Sequence, residues 1–216
     1  MQKGWRYDSD LHEWQYADKD EKTKEYLLAK QEWKQINGTW YYFDEYSIMV
    51  SNTIKNINEK LYEFANSGAW IPGDLSAQGW KQSETGARYY VNADGSLNTK
   101  EKKKIGNLTY YFYNDGEMIS NSLYSEYSSD GFKYYWINSN GNKDEGTGWR
   151  QTKWGSWYYL ENGNIVTGNK KVNGSEYYFN PSMYIGMRED NGRYYLYDDS
   201  GSRQVCTNGW YHAKVY

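Results

Sequence analysis

In 216 residues, Leu, Ile, Val and Phe together number only 31, while 26 Tyr, 11 Trp and 5 Phe raise the aromatic share to 19%. An aliphatic deficit of this size points to disorder only with a large net charge, and 25 basic against 28 acidic residues leave −3; aromatic rings, each able to bury on the order of 150–250 Å², replace the missing core. The same figures leave no basic footprint for nucleic acid, no apolar run of 18 residues to enter a membrane, and in Cys206 a lone thiol that forms neither an internal disulfide nor a thiolate metal site.

In chain order, the opening MQKGW lacks the apolar stretch of a signal peptide, which leaves an excised fragment or export by another route. Tyr-Tyr then occurs seven times, where a random order gives about three. The second Tyr of each pair stands at 42, 90, 111, 135, 159, 178 and 195, and the first step, 48, is twice the 24 seen later. Leu61-Tyr62-Glu63-Phe64 fills that gap, and Trp14-Gln15-Tyr16 is a degenerate copy ahead of the series. The predicted units are 4–16, 32–43, 53–64, 79–91, 101–112, 123–136, 148–160, 169–179 and 187–197, with a tenth begun over 208–216 at Gly209-Trp210. Between the first two lies an inserted connection, 18–30, whose composition favours a short helical turn or a loop.

Each unit is strand, turn, strand. The fullest copies are EWKQINGTWYYFDEYSIMV (32–50) and GWRQTKWGSWYYLENGNIVTG (148–168). Asn37-Gly38 between two strand-like runs is a type I′ hairpin signal, and Asn173-Gly174 and Asn191-Gly192 repeat it. A hairpin of this size is marginal alone, so copies must stack to bury their aromatic faces. The fold expected is all-β, a solenoid (superhelix) of stacked β-hairpin repeats in a single array over 1–216.

A two-residue turn at Asn37-Gly38 pairs Trp33 with Tyr42 and Gln35 with Trp40, so Trp33, Trp40 and Tyr42 share a face while Tyr41 and Phe43 point the other way. In the 148–160 unit the Trp149-to-Trp157 step is one residue longer, and a three-residue turn restores the same facing. Two indoles from one hairpin and an aromatic from the next make a three-walled, uncharged pocket. Such a pocket suits a quaternary ammonium group, each cation–π contact contributing roughly 0.5–2 kcal/mol. For most Tyr-Tyr pairs packing alone accounts for the residues.

The GW…WYY grammar resembles the choline-binding, or cell-wall-binding, repeats of autolysins, phage lysins and surface proteins of Gram-positive bacteria whose teichoic acids carry phosphocholine. The resemblance implies a left-handed superhelix of β-hairpins with choline held between consecutive hairpins by two Trp, a Tyr and often a Met. Residue by residue, it implies one cage of Trp33 and Trp40 closed by Tyr62 with Met49 nearby, and another of Trp149 and Trp157 closed by Tyr177. An N-terminal cage takes Trp5, Trp14 and Tyr41, where the inserted connection threatens the closing residue. Trp80 begins a further GW unit, but Arg88 holds its second Trp position, where a cation repels choline. Two or three working sites are therefore expected. The implied partner is phosphocholine on teichoic acid at the extracellular cell surface, with no cofactor and no metal.

Glucan-binding repeats of glucan-synthesising enzymes and receptor-binding repeats of clostridial toxins share the YY-x-x-x-x-G pattern, so a polysaccharide is the alternative ligand. An enzyme is disfavoured: Asp8, Asp10, Glu13, Asp144, Glu145, Asp198 and Asp199 fall in turn-like segments where acids are expected anyway. His12 and His212 lie at opposite ends, and no metal-ligand spacing exists. The reading is a non-catalytic attachment module.

Overall fold

The computed structural model describes residues 2–204, which form strands and turns throughout; the expected tenth unit with Trp210, and Cys206 and His212, lie outside them. Nine hairpins follow one another among the described residues. Four belong to a compact unit that runs to Glu101 and includes Phe112–Met118: Gly4–Asp8 with Glu13–Lys19, Glu32–Ile36 with Thr39–Phe43, Thr53–Ile57 with Lys60–Phe64, and Gly79–Gln82 with Arg88–Val91. Five belong to a second unit of Lys102–Tyr111 and the chain from Ile119 on: Lys103–Ile105 with Leu108–Tyr110, Ser122–Ser128 with Gly131–Ile137, Gly148–Gln151 with Trp157–Glu161, Gly168–Val172 with Ser175–Phe179, and Gly186–Asp190 with Arg193–Tyr197.

The turns follow from the residues that fill them. Asn37 and Gly38 both sit at positive φ (50° and 85°), as do Asn173-Gly174 and Asn191-Gly192, which is the type I′ geometry that matches strand twist. The resulting register pairs Trp33 with Tyr42 and Gln35 with Trp40, as the sequence predicts. In the Trp149 hairpin, Trp149 pairs with Tyr159 and Gln151 with Trp157. There the Thr152 N–H donates to the Ser156 carbonyl at 3.0 Å, closing a three-residue turn that keeps the facing.

Packing in each unit runs from hairpin to hairpin. Tyr16, Ala29, Ile36, Phe43 and Met49 join the first hairpin to the second, and Val50, Ile57 and Phe64 with Trp33, Tyr42 and Tyr62 join the second to the third. In the second unit, Trp136, Tyr158 and Leu160 do the same for the 122–137 and 148–161 hairpins. Side chains alternate across a strand, so within each unit one face of a hairpin meets its predecessor and the other its successor, which is solenoid packing.

The 18–30 stretch is not helical. Glu13–Lys19 continues into it, and Tyr26–Leu28 pairs back on that strand, with Ala17 opposite Leu28. Asp20 turns the chain, its carboxylate accepting from the Lys22 and Thr23 N–H groups at 3.0 and 2.7 Å. A dozen residues without an apolar stripe form a marginal helix, whereas strand pairing buries Ala17 and Ala29 completely.

Candidate functional site

Three places among the described residues repeat one aromatic constellation. Trp33 and Trp40 stand edge-on, 6.5 Å between ring centroids and 79° between planes, and Tyr62 of the next hairpin meets Trp33 at 4.8 Å. Trp149 and Trp157 stand at 6.2 Å and 88°, with Tyr177 at 4.9 Å from Trp149. Trp5 and Trp14 stand at 6.3 Å and 89°, with Tyr41 at 4.9 Å from Trp5. The inserted connection does not displace Tyr41. A buried phenylalanine backs each first indole: Phe64 at 5.6 Å, Phe179 at 5.7 Å and Phe43 at 5.9 Å.

Backbone alternation produces this arrangement. Tyr41 and Phe43 lie on the face of their hairpin opposite Trp40 and Tyr42, so they complete the Trp5 cage while the Trp33–Trp40 face opens toward Tyr62. The Trp33 hairpin thus serves the cage behind it with Tyr41 and Phe43 and the cage ahead with its indoles. The second indole of each pair keeps a large exposed area: 45% for Trp14, 40% for Trp40 and 38% for Trp157. The Trp149 cage opens as a cleft of about 390 Å³ lined by Trp149, Trp157, Tyr177, Met183, Asp199 and Ser200.

Met49 is not part of the Trp33–Trp40 cage; it belongs to the preceding one. Its N–H donates to the Trp14 carbonyl at 2.7 Å, it bridges to Phe43, and it packs in the cluster that holds Tyr41. The chain after each second strand folds back toward the previous hairpin, which carries the methionine with it. Met183 repeats the geometry, bridging to Phe179 with its N–H on the Trp157 carbonyl at 2.7 Å. At the Trp33 cage the same place is taken by Trp70, paired with Phe64 and 6.0 Å from Trp33. Neither Met183 nor Trp70 was among the predicted residues. A six-residue step from Phe43 to Met49 and from Phe64 to Trp70 marks two of these residues in the sequence, but it does not say onto which hairpin they fold.

The Trp80 hairpin departs from the pattern as its Arg88 dictates. The guanidinium lies over the Trp80 ring, 4.4 Å from its centroid, while Phe112 stacks on that indole at 6.0 Å and the Met118 N–H donates to the Arg88 carbonyl. The cation thus covers the indole face from within the same hairpin. Arg188 over Tyr178 (3.8 Å) and Lys143 over Tyr135 (4.9 Å) cover aromatic faces in the same way.

Asp144 serves structure beside the Trp149 hairpin. Asp144 accepts from Arg150 Nε at 2.8 Å, and this bond, with the Gly146 N–H, holds its carboxyl below the usual range against the opposing effect of burial. Burial holds the Tyr42 phenol above its usual value. Among the described residues no group of three or more His, Cys, Asp or Glu is placed to hold a metal ion, and no helix is long and apolar enough to cross a membrane.

The chain is 27% identical over 185 residues to glucosyltransferase-I of Streptococcus downei and 28% identical over 161 residues to glucosyltransferase-S of Streptococcus mutans. These alignments cover 80% and 66% of the chain but only 11% of either relative, so the chain spans about a tenth of their length. Choline binding protein F from Streptococcus pneumoniae aligns over 97% of this chain and 96% of its own at 21% identity, with a TM-score of 0.37. The family model described as "Putative cell wall binding repeat" matches residues 31–45, 78–97, 103–118 and 147–164. Two of those stretches are the double-Trp hairpins of the Trp33 and Trp149 cages, so the cages stand on stretches similar to cell wall binding repeats.

Proposed function

We propose that this chain is a non-catalytic attachment module that binds the choline groups of teichoic acids at the Gram-positive cell surface through the Trp5, Trp33 and Trp149 cages. The observation that carries this reading is the threefold recurrence of edge-on indoles left open to solvent with a tyrosine across them. A packing role alone favours burying these indoles, as it buries Phe43, Phe64 and Phe179. A trimethylammonium group donates no hydrogen bonds and is drawn to ring faces, each contact contributing roughly 0.5–2 kcal/mol. One cage therefore binds at about the millimolar level, and several on one polymer gain by raised effective concentration.

The glucosyltransferase relatives favour a second reading, in which the same rings stack on the glucosyl units of a polysaccharide. Titration of indole fluorescence with choline chloride and with dextran separates the two. Choline is expected to saturate the signal at three sites, and free choline to elute the protein from a tertiary-amine resin. Unretarded passage through that resin, with a response to dextran alone, overturns the choline reading in favour of glucan.

A further inference from the structure

The Trp149 cage is bordered by a group its aromatic walls do not supply. Asp199 and Ser200 line the same cleft as Trp149, Trp157, Tyr177 and Met183. The turn that carries them is tightly held. Asp198 accepts from the Ser200 and Ser202 N–H groups at 2.9 and 3.0 Å, from the Ser200 hydroxyl and from the Gln204 amide, while the Gly201 N–H donates to the Asp198 carbonyl at 2.7 Å. Gly201 lies so close to Met183 that a Cβ there would overlap the thioether. Asp198 is thus consumed in shaping the turn, the turn is pressed against the methionine wall, and Asp199 beside it is left to line the cleft. Gly68 stands against Met49 in the same way at the Trp5 cage, and there the residue two before the glycine is the neutral Asn66.

We infer that Asp199 is a specificity-determining residue that makes the Trp149 cage select cationic ligands over neutral ones of the same shape. The inference rests on the ligand reading above and adds a discrimination that rings alone supply only weakly. Aromatic walls bury the methyl groups of a trimethylammonium and of a tert-butyl group alike, whereas a carboxylate attracts only the first. It also disfavours an anion on its own side of the cleft, so the favoured ligand carries its phosphate on a tether that leaves away from Asp199. Because the carboxylate is exposed, the gain is about two- to five-fold in affinity and is screened by salt.

The test follows the ¹⁵N-indole resonances of Trp149 and Trp157, assigned with W157F, during titration of the intact chain and of D199N with choline and with its neutral isostere 3,3-dimethylbutan-1-ol. Expected are tighter choline binding than alcohol binding in the unaltered chain and a two- to five-fold loss for choline alone in D199N. The Trp33 and Trp40 resonances are expected to titrate identically in both proteins, and D199E to restore the preference. Unchanged choline affinity in D199N overturns the inference, as does an equal loss for both ligands, which marks a structural role. If choline moves no indole resonance of the unaltered chain, the ligand reading fails and Asp199 loses its role with it.

Discussion

Arg88 shows how one side chain decides whether a hairpin is open to a ligand. At the equivalent position Trp14, Trp40 and Trp157 leave a ring edge in solvent, whereas Arg88 lays its guanidinium on Trp80 at 4.4 Å. The contact contributes roughly 0.5–2 kcal/mol, and the arginine stem covers further apolar surface. Arg88→Ala is therefore expected to lower the unfolding free energy by about 1 kcal/mol, read as a lower urea midpoint at unchanged slope, with the number of choline sites unaltered because alanine supplies no second indole. Phe64 presents the opposite case, fully buried behind Trp33. Phe64→Ala should cost about 3–5 kcal/mol and abolish the choline response of Trp33 while sparing that of Trp149. An unperturbed Trp33 response would mean that the indole is positioned without its backing.

At the scale of the hairpin, turn chemistry sets the register, and the register sets the cage. Asn37-Gly38 places both residues at positive φ, so Trp40 falls opposite Gln35 and on the side of Trp33. A one-residue slip sends every side chain to the other face. Gly38→Ala retains the loop length but puts a Cβ at φ 85°, which costs about 1–2 kcal/mol. The loss is expected in thermal denaturation, with choline affinity at Trp33 little changed because the pairing survives. Two hairpins were legible here down to individual pairs, because Asn-Gly turns and Trp spacing are local signals. The 18–30 stretch was not, because its propensity for helix is local while its strand partner, Glu13–Lys19, is supplied by the chain before it.

At the scale of the whole molecule, the described residues place two cages in the first unit and one in the second, and the proposed function has a polymer engage both units. Trp149→Ala should reduce free-choline stoichiometry from three to two, yet reduce retention on a choline-bearing polymer by well over a third, since effective concentration multiplies affinities. Retention that falls only in proportion to site number would exclude such linkage. Acid should weaken the fold. The lowered values of Asp144, held by Arg150, and Asp198, held by the Ser200 hydroxyl and turn N–H groups, mean that both stabilise the native state fully above the ordinary carboxylate value of 3.8. That contribution is lost as pH falls through the lowered folded values. Melting temperatures are thus expected to drop below about pH 4, and Asp144→Asn to destabilise at pH 7 while mattering little at pH 2.

The repeat period, the all-β architecture and the identity of the indole pairs were contained in the linear order of residues, because strand alternation and turn preferences act over fewer than ten positions. The fourth wall of each cage was not. Met49, Trp70 and Met183 reach their places by folding back onto the preceding hairpin, and the sequence-based expectation put Met49 with the wrong pair of tryptophans. Likewise, that Asp199 borders the Trp149 cleft depends on how one turn lies against another hairpin. Such contacts join residues distant along the chain, and only packing brings them together.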